Sequence, residues 1–267
     1  MKNLITESES NYNNLENKSF TDLLNFINKE DALIAQSVSK AIFSIAEMAE
    51  AIYAKLKDNG RLFYIGAGTS GRLGILDASE CPPTFGVSSE KIVGIIAGGD
   101  KAIRTAVEGA EDDINQAFID LQKFNVNQKD FVLGISASGK TPYVIGGLQK
   151  LKENQIKTGA LSCNQNSRIG EIAKHKIEIE VGPEVITGST RMKAGTAQKM
   201  ALNMLSTSLM IKLGHVKGNQ MIDMQLSNVK LIDRGTDMIV KETGWAREKA
   251  KKKLLELGSV RKVLESL

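Results

Sequence analysis

The chain has 267 residues, of which 42% are hydrophobic and 25% charged, enough for one large or two modest soluble domains with an ordinary core. Against 31 Asp and Glu stand 35 Lys and Arg, and a net charge of +4 is too small to argue for nucleic acid, whose binding needs a concentrated basic face. Two cysteines outside any metal-spaced cluster exclude a disulfide scaffold, and with no leader-like or ~20-residue apolar run the expected setting is the cytoplasm, off the membrane.

Residues 1–19 are rich in Asn, Ser and Glu and read as a loosely held arm. Over 31–57, apolar side chains at Ile34, Val38, Ala41, Ile42, Ile45, Ala49, Ile52 and Leu56 recur in steps of three and four. That spacing predicts one long amphipathic helix, ended by Asn59-Gly60. Short apolar runs follow at 62–65, 92–97, 131–135, 158–161 and 177–181, each succeeded by a turn and a helical stretch. Such runs, without polar alternation, predict five parallel strands in a doubly wound α/β sheet, with ligands beyond the strands' C-terminal ends. From about Ser189 the chain reads as helical, with a break at 214–218 and a small helical tail after Thr243. The predicted division is an arm with helices over 1–58, a sheet domain over 59–218 and a helical region over 219–267. Met200, Met204 and Met210 read as core filling, Cys81 and Cys163 as buried small apolar residues, and His175 and His215 as isolated.

Two glycine-rich loops resemble known phosphate motifs. Gly66-Ala67-Gly68-Thr69-Ser70-Gly71 fits the dinucleotide fingerprint, but the next strand ends in Ile96-Ala97-Gly98 without the acidic residue that would hold a ribose. Gly134-Ile135-Ser136-Ala137-Ser138-Gly139-Lys140-Thr141 fits the phosphate loop of nucleotide hydrolases, but no apolar strand ends in an Asp to help hold Mg²⁺. Both loops join a strand to a helix N-terminus, where free N–H groups and the dipole favour an anion. Their hydroxyls are Thr69 and Ser70 in the first, and Ser136, Ser138 and Thr141 in the second. One such loop would read as an ordinary helix cap. Two together favour a phosphate and its attached polyol.

Two carboxylates stand out. A helix predicted over 100–123, with Asp100 as N-cap, carries the stripe Ile103, Val107, Ala110, Ile114, Phe118 and Leu121, and Glu111 falls on it. A desolvated carboxylate there is a candidate acid or base; the competing reading is a marginal Glu paired with a cation. Glu80 precedes Cys81-Pro82-Pro83, which places it at a predicted helix C-terminus, where the dipole favours a protonated acid; the competing reading is an exposed helix end. Arg191 and Lys193 open the helix after the last strand, and cations there call for an anion nearby.

These strings resemble the N-acetylmuramic acid 6-phosphate etherases. The likeness runs from Gly66-Ala67-Gly68-Thr69-Ser70-Gly71-Arg72-Leu73-Gly74 through Asp77-Ala78-Ser79-Glu80-Cys81-Pro82-Pro83. It continues in Ala106-Val107-Glu108-Gly109-Ala110-Glu111-Asp112, Ser136-Ala137-Ser138-Gly139-Lys140-Thr141-Pro142, and Thr187-Gly188-Ser189-Thr190-Arg191-Met192-Lys193-Ala194-Gly195. The resemblance implies a sugar isomerase (SIS) fold, with the phosphosugar bound in the 59–218 domain. It also implies a homodimer with sites near the subunit interface, and cleavage of a lactyl ether without metal, nucleotide or other cofactor. It places the two catalytic glutamates on Glu80 and Glu111, with Glu111 as base at C2 and Glu80 as acid toward the departing lactate. At its C-terminus the chain departs from the family, whose helical appendix is longer. Two other functions compete: a non-catalytic phosphosugar-binding regulator of the same fold, and a nucleotide hydrolase requiring Mg²⁺.

Overall fold

The computed structural model describes residues 4–267. Five strands, β1 (Leu62–Gly66), β2 (Ile92–Ile96), β3 (Phe131–Ile135), β4 (Lys157–Ser162) and β5 (His175–Glu178), form one parallel sheet in the order β2-β1-β3-β4-β5. β1 and β3 are wholly buried, and this two-sided burial is why their sequences read as unbroken apolar runs. The fold is the expected doubly wound α/β sheet.

Helices α1 (Phe20–Asp31), α2 (Ile34–Ser39) and α3 (Ile42–Lys57) precede the sheet. The single helix expected over 31–57 is therefore bent into pieces. Leu33 N–H turns to Glu30 O and Ala41 N–H to Val38 O, three residues back, and the Ser39 hydroxyl donates to Gln36 O. These local bonds compete with the regular ladder and let the apolar stripe wrap the sheet.

After β1 comes α4 (Gly68–Phe85), and after β2 come α5 (Lys101–Arg104) and α6 (Gln116–Gln122). α7 (Pro142–Glu153) follows β3, α8 (Arg168–Ile172) follows β4 and α9 (Lys193–Lys212) follows β5. One face of the sheet packs side chains from α2, α3, α4 and α9, including Met48, Ile52, Cys81 and Leu205. The other face packs α6, α7 and α8 through Leu121, Leu148 and Ile169. The helix after β1 thus goes to one face and the helix after β3 to the other, which opens a crevice between the C-terminal ends of these adjacent strands.

The break expected at 214–218 is a small hairpin of β6 (Val216–Lys217) and β7 (Gln220–Met221). Beyond it α10 (Val229–Thr243), α11 (Arg247–Leu257) and α12 (Val260–Glu265) enclose a small core of their own around Met224, Ile239, Leu254 and Val263. Asp223 fastens this region by accepting from Arg261 at 2.7 and 2.6 Å and bonding His215 Nδ1 at 2.9 Å. Among the described residues, no single helix is long and apolar enough to cross a membrane.

The arm is held, contrary to the loose segment expected. Its described part makes short helical turns at Ile5–Glu7 and Leu15–Asn17, and Thr6 is fully buried. Residues 1–3 of that expectation lie outside the described residues. Of the methionines expected to fill the core, Met210 is buried and Met200 half-buried, whereas Met204 is exposed on α9.

Candidate active site

Gly66 pairs with Ile135 in the β1–β3 register, so the two glycine-rich loops leave the sheet side by side. In the first, Gly68 opens α4 with a left-handed φ of 51°. In the second, Gly139 has φ 71°, and a Cβ there would lie 2.4 Å from the Ser167 Cβ, so only glycine closes this turn against α8.

The hydroxyls divide into inward and outward sets. Ser70 is buried and donates to Gln198 Oε1 at 3.0 Å, while Gln198 Nε2, also buried, has no partner among the described residues. Ser136 is buried, accepts from Gly139 N–H at 3.0 Å and lies 2.8 Å from the Thr141 hydroxyl. Thr69, Ser138 and Thr141 stay partly accessible. The structure therefore brings the five predicted hydroxyls to the C-terminal ends of β1 and β3 but turns Ser70 and Ser136 toward the protein.

The two cations part company. Arg191 is exposed. Lys193 is 2% exposed and its Nζ lies 2.5 Å from Glu30 Oε2. Burial by itself raises the Glu30 pKa, but hydrogen bonds from Lys193 and Tyr12 outweigh it and hold the carboxyl below its ordinary value. Glu184, also buried, accepts from Lys193 N–H at 2.9 Å and Ala194 N–H at 3.0 Å. The anion called for at this helix start is the protein's own pair of carboxylates, which leaves α9's first N–H groups occupied.

Both carboxylate expectations need correcting in their local structure. The helix predicted over 100–123 breaks: α5 lasts one turn, Gly109 takes φ 72°, and Ala110–Asp112 form a single 3₁₀ turn. Asp113 Oδ1 then accepts from Asn115 and Gln116 N–H and starts α6, whereas Asp100 makes no side-chain cap. Glu111 is consequently exposed instead of lying on an apolar stripe. It edges a cleft of about 220 Å³ shared with Gly68, Arg72, Val107 and Gly109, beside the first loop.

α4 runs through Pro82 and Pro83 to Gly86, so Glu80 is an exposed mid-helix residue and not a helix end. Burial of Cys81 and Phe85 against the sheet overrides the bias that proline imposes on its predecessor. Twelve residues separate Glu80 from Gly68, about 18 Å along the helix axis. Glu80 does not line Glu111's cleft.

Arg72 was missed by the sequence reading. It sits in Glu111's cleft, with its Nε donating to Ile103 O at 2.9 Å. The signal was available: a cation in the first turns of a helix, as at Arg191 and Lys193. Cys81 and Cys163 are buried, and burial raises both thiols, with the charges of Asp77 and Glu80 adding at Cys81, which is pushed up to about 12. Both stay protonated and unreactive near neutrality. Among the described residues, no three His, Cys, Asp or Glu side chains gather as metal ligands do.

Two family models match the chain: the glucokinase regulatory protein N-terminal SIS domain over residues 44–152, and the SIS domain over 108–208. An N-acetylmuramic acid 6-phosphate etherase of Christiangramia forsetii is 58% identical over 261 residues, covering 98% of this chain and 95% of that protein. One from Bacteroides fragilis is 53% identical, covering 98% and 93%. The short tail, expected to depart from the family, is thus shared with these relatives. Among solved structures, phosphoheptose isomerase GmhA from Neisseria gonorrhoeae superposes with a TM-score of 0.55 at 18% identity, over 72% of this chain and 98% of that one, a likeness of fold.

Proposed function

Since this chain belongs to the N-acetylmuramic acid 6-phosphate etherases, we propose that it cleaves the D-lactyl ether of N-acetylmuramic acid 6-phosphate, in recycling of cell-wall sugar. The products are N-acetylglucosamine 6-phosphate and D-lactate, and the enzyme is a carbon–oxygen lyase of the cytoplasm. The observation that carries the reading is the pairing of Gly66 with Ile135, which sets two helix N-termini and their hydroxyls over one crevice. In this reading residues 59–218 form the phosphosugar-binding domain, between the 1–58 segment and the helical region 219–267.

The accessible hydroxyls of Thr69, Ser138 and Thr141 and the α4 and α7 N–H groups hold the phosphate and the polyol. Arg191 and Arg72 supply positive charge. Ser70 and Ser136 shape the loops from inside. Glu111 takes the C2 proton of the ring-opened sugar, acidified by the C1 aldehyde. The electron pair left at C2 forms the C2=C3 double bond as the C3–O bond breaks, and Glu80 protonates the departing lactate oxygen. Water then adds its oxygen to C3 and a proton returns to C2. Each positioned proton transfer contributes about 10²–10⁴-fold.

The absence of Glu80 from the lining of Glu111's cleft supports a homodimer in which one subunit's Glu80 faces the other's cleft. An apolar groove of about 940 Å³ between α3 and α9, lined by Ile42, Tyr53, Met204 and Ile211, fits a second copy. It adjoins α4 through the bond from Asn203 Nδ2 to Asp77 Oδ1, one turn before Glu80. The test of function is D-lactate release from N-acetylmuramic acid 6-phosphate in H₂¹⁸O. Lactate with ¹⁸O at C3 of the sugar is expected; folded protein that binds the sugar without releasing lactate would establish a regulator instead.

A further inference from the structure

The arm and the second glycine-rich loop are joined through one side chain. Asn164, just after β4, is 2% exposed, and Thr6 is fully buried. Asn164 Oδ1 accepts from Thr6 N–H at 3.3 Å. Asn164 Nδ2 donates to the Thr6 hydroxyl at 2.9 Å, to Ala137 O at 3.1 Å and to Ser138 O at 3.3 Å. Two N–H groups serve three acceptors, so the amide is fully committed. Further along the arm, Ser10 N–H donates to Thr187 Oγ1 at 2.9 Å and the Ser10 hydroxyl to Val185 O at 2.6 Å. The arm therefore runs from the carbonyls of the 136–141 loop to the segment leading into Arg191.

We propose that Asn164 and Thr6 are positioning residues of the substrate site, with the arm acting as a clasp that fixes the direction of the Ser138 and Thr141 hydroxyls. Neither residue offers a free polar atom to a ligand, so neither is a catalytic residue. Asn164 grips the two carbonyls that flank the Ser138 backbone, and Thr6 fixes the plane of the Asn164 amide. Peptide groups held from behind keep the hydroxyls and N–H groups in front preorganised, which lowers the ordering cost of binding an anion. The inference rests on the loop's being the phosphate site. A phosphate is held alike in the ground state and the transition state, so loosening the clasp raises KM and leaves kcat.

The test uses the full chain with Asn164→Asp, Thr6→Ala and Thr6→Ser. Asn164→Asp keeps the shape and the acceptor for Thr6 N–H but loses both donated hydrogens. KM for lactate release, and Kd for the product N-acetylglucosamine 6-phosphate by calorimetry, are expected to rise about tenfold or more in Asn164→Asp and about threefold in Thr6→Ala. Thr6→Ser should return to the wild-type value, with kcat within about twofold throughout. If Asn164→Asp fails to fold, the Thr6 pair still decides. Wild-type binding with unchanged KM and Kd in the variants, or loss of kcat and thermal stability at constant KM, overturns the clasp alone. A wild-type protein that binds no product overturns the phosphosugar reading and the clasp with it.

Discussion

The loops at 66–71 and 136–141 are built from the same kinds of residue on adjacent strands, yet the protein treats them differently. The first is pinned from α9 by the Ser70–Gln198 bond and opens toward Arg72 and Glu111. The second is a knot of hydroxyls, Ser136 with Thr141 and Ser138, bonded from behind by Asn164, which in turn holds Thr6 of the arm. The first loop therefore borders a cleft edged by a carboxylate, and the second presents hydroxyls. Similar sequence patterns acquire different surroundings from what packs against them.

The sharpest way to break this comparison is at the carboxylate. Glu111→Gln should lower kcat by about 10²–10⁴-fold with little change in KM, read from steady-state lactate release. Mixing Glu80→Gln and Glu111→Gln proteins should restore part of the activity if the pair forms between subunits, since some mixed dimers keep one intact site. No recovery after confirmed subunit exchange would place the pair elsewhere.

The next effect is on stability, at the helix start that is closed to ligands. Lys193→Met leaves the Glu30 carboxylate buried without its cation and should cost about 3–5 kcal/mol in denaturant unfolding. Glu30→Gln combined with Lys193→Met should recover much of that loss, because no buried charge then stands alone. At the holding loop, Ser138→Ala should raise KM about tenfold and leave kcat nearly unchanged, the opposite of Glu111→Gln.

The smallest effect is a pH dependence at Asp77, which is buried between α4 and α9. Burial raises its pKa, against hydrogen bonds from Ser206, Tyr64 and Asn203 that lower it. A folded pKa above the ordinary carboxyl value of 3.8 means the contribution is full in acid and is lost as pH rises through the folded pKa. Asp77→Asn removes that loss, so its stability relative to the wild type should improve as pH rises above about 4. A difference constant between pH 4 and pH 7 would count against the burial effect.

Much of the fold was legible because burial on both faces leaves a simple signature. Phe131–Ile135 is a strand at the predicted residues, β1 and β2 differ by one residue at one end, and β4 by one residue at each end. β5 lies earlier than 177–181, since its edge position leaves His175 half-buried and Lys176 exposed and hides the start of the strand. The helix expected over 100–123 carried its own warnings in Gly109 and in Asp113 two residues before Asn115, but its apolar period suggested continuity. At Glu80 the error ran the other way: Pro82 is a true local breaker, and packing overrode it.

The sequence by itself determined the strand set, the two strand–loop–helix turns and the residue types gathered there, because these follow from local period, glycine and hydroxyl chemistry. It also carries the family likeness, which is written in strings of neighbours along the chain. Which hydroxyls face outward, which cation is spent on Glu30, and that Thr6 reaches Asn164 158 positions away were decided only by the tertiary structure. Those facts depend on which side chains meet across long sequence separations, and hydrogen-bond partners are chosen by position in space.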